Sequence, residues 1–140
     1  MNTLVLAIGN TLLSDEGIGI HVLDALRQQY PQPEGVTYLD GGTLSFTLAG
    51  AVEEADNLIV LDAAQLQREP GTVACLANEE MDTFLGTTKR SVHEVGLLDL
   101  LDIARLTDSL PTQRALIAKL IEAGKLTPII DRTYPLSEAP

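Results

Sequence analysis

Three short runs constrain the fold more than anything else in the chain: Leu4-Val5-Leu6-Ala7-Ile8, Val36-Thr37-Tyr38-Leu39 and Leu58-Ile59-Val60-Leu61. The first and third are continuously apolar, and the three give way in turn to Gly9-Asn10, Asp40-Gly41-Gly42 and Asp62. A continuous apolar run of this length reads as a strand buried on both faces, as in a parallel sheet covered by helices above and below. Helix-sized segments separate the runs. From Asp15 or Glu16 to Tyr30, the apolar positions Ile18, Val22, Leu26 and Tyr30 recur every fourth residue, with Ser14 as N-cap and Pro31 and Pro33 as the stop. Phe46 to Ala55 reads as a second helix. Strands alternating with helices predict right-handed crossovers and a three-layer α/β/α sandwich with a mainly parallel sheet.

The second half is less regular. Gly71 to Leu76 reads as a further strand and Val92 to Leu106 as a leucine-rich helix. Pro111 looks like a helix start, and Leu116-Ile117 with Leu120-Ile121 form a stripe ending at Gly124, which predicts a last helix. A strand from Thr127 to Ile130 follows. With 140 residues, the chain is expected to form one α/β domain over 1–140.

Charge and cysteine usage exclude several classes. Nine Lys+Arg stand against twenty Asp+Glu, with no basic stripe to track phosphates, so nucleic acid is not an expected partner. Cys75 is the only cysteine, which removes internal disulfides and thiolate metal cages and suits a reducing cytosol. Asn10 and Asp15 follow the first apolar run too soon for an export or membrane-spanning segment, so the expected location is cytoplasmic, without a membrane partner. Cys75, inside a predicted strand, reads as a small core residue.

In open parallel sheets the chemistry sits just beyond the strand ends. Glu16, Asp40 and Asp62 occupy such places. The loop after the first run lacks both G-x-G-x-x-G and G-x-x-x-x-G-K-[ST], and acids at the helix start repel phosphate, so it is no nucleotide loop. Asp15 reads as a complement to the helix dipole. His93 opens the leucine-rich helix, and with Glu16 and Asp62 it would offer two oxygens and one nitrogen, a set suited to nickel or zinc rather than calcium. His21 lies within the first helix, away from its start, and reads as a partly buried or surface histidine. Neither G-x-S-x-G nor H-E-x-x-H occurs.

The run Leu4 to Gly19, then Asp40-Gly41-Gly42-Thr43, Leu61-Asp62-Ala63 and His93-Glu94-Val95-Gly96-Leu97, resembles the hydrogenase maturation endopeptidases. The resemblance implies a cytosolic protease that removes a C-terminal extension from the [NiFe]-hydrogenase large-subunit precursor after nickel loading. It puts the metal-binding roles on Glu16, Asp62 and His93, with nickel supplied by the substrate and other divalent cations able to substitute. Asp40 becomes a weaker catalytic candidate, and Gly41 and Gly42 candidates for positioning substrate.

The tail departs from that pattern. Residues 118–140 resemble the end of medium-chain zinc-type or quinone reductases. Residues 1–110 hold 17 acids and five bases, whereas 111–140 hold three acids and four bases. This reading makes the chain a chimera, with a protease-like core over 1–117 and a foreign segment after it. The alternative function is then an inactive scaffold, engineered or accidental, that still binds a divalent metal. A replaced last strand would leave the sheet to recruit Thr127-Pro128-Ile129-Ile130 at an edge, and self-association into a homo-oligomer would cover exposed apolar surface.

Overall fold

A computed structural model describes residues 1–13, 15–31, 33–43, 46–64, 69–87 and 92–120. The elements run β1 (Thr3–Ala7), a 3-10 turn (Asp15–Gly17), α1 (Ile18–Gln29), β2 (Val36–Asp40), a second 3-10 turn (Phe46–Leu48) leading into α2 (Ala49–Glu53), β3 (Asn57–Ala64), β4 (Val73–Ala77), α3 (Glu79–Thr87), α4 (Val92–Leu106) and β5 (Gln113–Leu120). They build one five-stranded sheet in the order β2-β1-β3-β5-β4. All neighbours are parallel except β4, which pairs antiparallel with β5 at the edge.

The layers follow from strand alternation. Leu4 and Leu6 of β1, Leu58 and Val60 of β3, and Leu116 and Ala118 of β5 face one side, where Val52 of α2, Met81 and Leu85 of α3, and Leu97, Leu101 and Ala104 of α4 complete the larger core. Val5 and Ala7, with Leu61, face the other side and meet Ile20 and Leu23 of α1. Every Leu in the larger set is nearly solvent-free; each such side chain contributes about 1.5–3 kcal/mol relative to exposure. The α/β/α sandwich is therefore as expected.

The connections reverse direction at one place. From β1 the chain passes over α1 to β2 on one flank, whereas β3 leads through α3 and α4 to β5 on the other flank. The gap between the C-terminal ends of β1 and β3 is thus the topological switch point, where open α/β sheets form their crevice.

Four local expectations are corrected. Residues 113–120 form β5, inserted between β3 and β4, not a helix begun by Pro111. The strand predicted over 127–130 and the helix end predicted at Gly124 lie outside the described residues. Asp62 does not terminate its strand, since β3 continues to Ala64. Cys75 is exposed, because β4 turns Val73, Cys75 and Ala77 toward the α1 side of the sheet but lies at its edge, beyond the strands on which α1 packs. Asp15 and Glu16 also precede α1, whose first turn holds no acid. His21 is exposed, in keeping with its surface reading. No described helix is long and apolar enough to cross a membrane.

One ionic cluster ties the edge together. Arg114 of β5 donates from Nε to Asp82 of α3 at 2.9 Å and from Nη2 to the other carboxylate oxygen, and Arg105 of α4 approaches the same carboxylate at 3.5 Å. Hydrogen bonding to Arg114 holds the Asp82 pKa below its ordinary value, with the charges of Arg114 and Arg105 acting the same way. A carboxylate whose folded pKa is depressed contributes stability above its unfolded pKa, near 3.9, and loses that contribution as pH falls through the folded value. Asp82→Asn is expected to lower unfolding free energy by about 1–3 kcal/mol at pH 7. The difference from wild type should shrink by pH 3 in urea titrations; an equal difference at both pH values would remove the charged pair as its cause.

Candidate functional site

The first candidate side chain, Glu16, is placed by a tight loop over glycine. Gly9 has φ +154°, and a Cβ there would lie 2.0 Å from the Glu16 carbonyl oxygen. Only glycine lets the chain fold back this closely. The Asn10 N–H donates to the Glu16 carbonyl at 3.1 Å, the Asn10 side chain accepts from the Leu12 N–H at 3.0 Å, and the Gly17 N–H donates to the Leu13 carbonyl at 3.1 Å. Glu16 itself is partly buried, in a turn that packs on β3.

Gly19 fixes the same turn from the helix side. A Cβ at Gly19 would stand 2.4 Å from the Leu61 carbonyl oxygen and 2.5 Å from that of Ile8. Helix α1 therefore begins in direct backbone contact with the ends of β1 and β3. The Ile8 N–H donates to the Leu61 carbonyl at 2.9 Å and stitches the two strands together just below the crevice.

Asp62 is the second element of the site and is 4% exposed, the only charged residue among the described buried ones. Its Oδ1 accepts from the Ala63 N–H at 2.7 Å. Leu58, Val60 and Ala64 belong to the core shared with α4, so the strand period turns Asp62 toward the α4 side. A charge is retained in such a place only with polar or ionic partners.

Helix α4 brings His93 to this edge. At its far end the Thr107 hydroxyl donates to Glu53 at 3.2 Å, and the Thr112 N–H donates to the Asp56 carbonyl at 3.0 Å, beside the start of β3. The helix has 15 residues, about 22 Å at 1.5 Å per residue, and so returns its N-terminus to the C-terminal end of β3. His93 is its second residue. Its side chain lies outside the described atoms, and among the described side chains no three His, Cys, Asp or Glu form a metal-holding group.

Asp40, Gly41 and Gly42 stand one strand over. The Asp40 Oδ1 accepts from the Gly42 N–H at 2.9 Å and closes a turn. The Gly41 N–H donates to Ala7 and the Gly9 N–H to Gly42, each at 2.8 Å. The observed work of this motif is to fasten the end of β2 to the Gly9 loop. Sequence reasoning missed a hollow of about 160 Å³ beside Asp62, walled by Ile18, Val22, Val73 and Ile117 and reached by Lys119. Reading 113–120 as a strand would have put Lys119 in register with Ala63, next to the site.

Fold and site together define a doubly wound α/β protein with an acidic switch point. The profile of the HycI hydrogenase maturation protease family matches residues 20–134. The chain belongs to the hydrogenase maturation protease family. It is 39% identical over 136 residues to the hydrogenase 2 maturation protease of Escherichia coli, covering 94% of this chain and 82% of that protein. It is 38% identical over 116 residues to the hydrogenase expression/formation protein HupM of Azotobacter chroococcum, covering 83% of this chain. The chain spans 56% of the length of that relative and of HoxM from Azotobacter vinelandii. Among solved structures, the E. coli hydrogenase maturating endopeptidase HybD superposes with a TM-score of 0.83 at 40% identity, covering 91% of this chain and 78% of that one. The Thermococcus kodakarensis HybD protease gives 0.70 at 28% identity, with 87% and 81% covered. The family match runs past both the change in charge near residue 110 and residue 117, where the reductase-like tail is expected to begin.

Proposed function

We propose that this chain is a processing endopeptidase that cleaves the C-terminal extension from the [NiFe]-hydrogenase large-subunit precursor and recognises the nickel ion that the precursor carries. What supports this reading is the placement of the Glu16 turn and buried Asp62 at one switch point, with α4, whose second residue is His93, running back toward the same end of the sheet. Two carboxylates and an imidazole are a donor set that borderline divalent ions accept. The net charge of −11 adds an attractive field for a cation.

In this reading the protein's ligands meet an ion held by the substrate, and a precursor without it leaves those polar groups unmatched. Discrimination by a required contact of this kind is strong. Nickel-loaded precursor should be cleaved at least about a hundredfold faster than nickel-free precursor. The measurement is release of the extension by mass spectrometry. Equal rates on the two precursors would exclude recognition through the metal, and no cleavage of either, with a divalent ion still bound, would favour the inactive scaffold.

A further inference from the structure

The sheet face that carries α1 is only half covered among the described residues. Helix α1 packs on β1, β2 and β3, whereas β5 and β4 turn Ile117 and Lys119, and Val73 and Cys75, toward the same side. The hollow lies where the covered and uncovered halves meet. Its walls are aliphatic, and two of them, Val22 and Val73, are 38% and 65% exposed. Apolar surface gathered around a concavity marks a place that a partner covers. At about 160 Å³ the hollow is close in size to an apolar cavity that admits one benzene ring.

Two further features select the partner. Gly19, Leu61 and Asp62 border the hollow, so it adjoins the switch point from the α1 side, opposite the face to which strand alternation turns the Asp62 side chain. β4 is the outer strand of the sheet, and a strand edge offers backbone groups to an extended chain, whose side chains point alternately to opposite sides. We propose that the hollow is the subsite for one branched aliphatic or aromatic side chain of an extended precursor segment flanking the scissile bond. The assignment rests on the endopeptidase reading, because it takes the occupant to be the substrate.

Cys75 provides an independent readout. It is exposed, pairs in register with Ile117 and lies two residues from Val73 on the same face. The test measures cleavage of nickel-loaded precursor by wild type, by Val22→Trp, which fills the hollow, and by Val73→Asn, which makes one wall polar. Alkylation of Cys75 by N-ethylmaleimide is followed with and without precursor. Both variants should raise KM about tenfold with kcat within about twofold, and both should abolish the protection of Cys75 that precursor gives the wild type. Unchanged KM in both variants, with cleavage intact, overturns the subsite and leaves the endopeptidase reading standing. Protection without cleavage, lost in the variants, keeps the subsite and overturns the endopeptidase. A Cys75 unreactive in the free folded protein shows that residues beyond 120 or a second copy already cover this face, and also overturns the subsite.

Discussion

Asp62→Asn is expected to slow cleavage of nickel-loaded precursor at least about a hundredfold while leaving the melting temperature unchanged or raised. The two effects have separate origins. Asparagine retains an oxygen for the Ala63 N–H, bonded at 2.7 Å in the wild type, so the local turn survives. It removes a charge from a residue that is 4% exposed, and burying a carboxylate opposes folding even when it is partnered. An anionic ligand for a substrate-borne cation is lost in the same step. Cleavage within tenfold of wild type would show that Asp62 is held for structure alone. A melting temperature lowered by many degrees would show that the carboxylate anchors the fold, contrary to its assignment to the site.

Gly19→Ala should destabilise the protein by about 2–4 kcal/mol, with precursor cleavage falling beyond what the unfolded fraction explains. Alanine improves helix propensity by about 1 kcal/mol over glycine. Against that gain stand two backbone carbonyl oxygens, 2.4 and 2.5 Å from the new methyl position. Neither can swing aside like a side-chain tip, so α1 must lift from the sheet and carry the Glu16 turn away from Asp62. Gly86, in α3, is the internal control, because a Cβ there meets nothing within 4 Å. Gly86→Ala should be neutral or stabilising by a few tenths to about 1 kcal/mol. Thermal denaturation of both variants distinguishes the mechanisms; equal effects at the two positions would mean that close approach at Gly19 is not the constraint.

The first half of the fold was legible because its strands carry their burial in their composition. Leu4 to Ile8 and Leu58 to Leu61 contain nothing that tolerates a wet face, and Asp62 stood out as an acid against that background. β5 was not legible. Gln113-Arg114-Ala115-Leu116-Ile117-Ala118-Lys119-Leu120 is rich in good helix formers, and its two residues in the larger core, Leu116 and Ala118, make a weak alternating signal. What makes it a strand is long-range: β3 on one side, β4 on the other, and Asp82 receiving Arg114. Helix α3 was passed over, although Met81, Phe84 and Leu85 are spaced as one buried helical face after two acids. Of the candidate site, the placement of Glu16 and Asp62 at the switch point could be read from their positions at the ends of apolar runs. The hollow could not, since its walls come from α1, β4 and β5, and their meeting depends on the strand that sequence mistook for a helix.

The placement of β5 also constrains how the molecule assembles. β3 and β4 are consecutive strands, yet they never pair, and the slot between them is filled by the last strand described. Until residues 113–120 are available, β4 has no strand to bind and Asp82 lacks its Arg114 partner. The sheet therefore cannot grow outward one strand at a time from its N-terminal half. Its closing step is an insertion, dominated by contacts between residues far apart in the chain, and such topologies fold slowly with an open edge in the meantime.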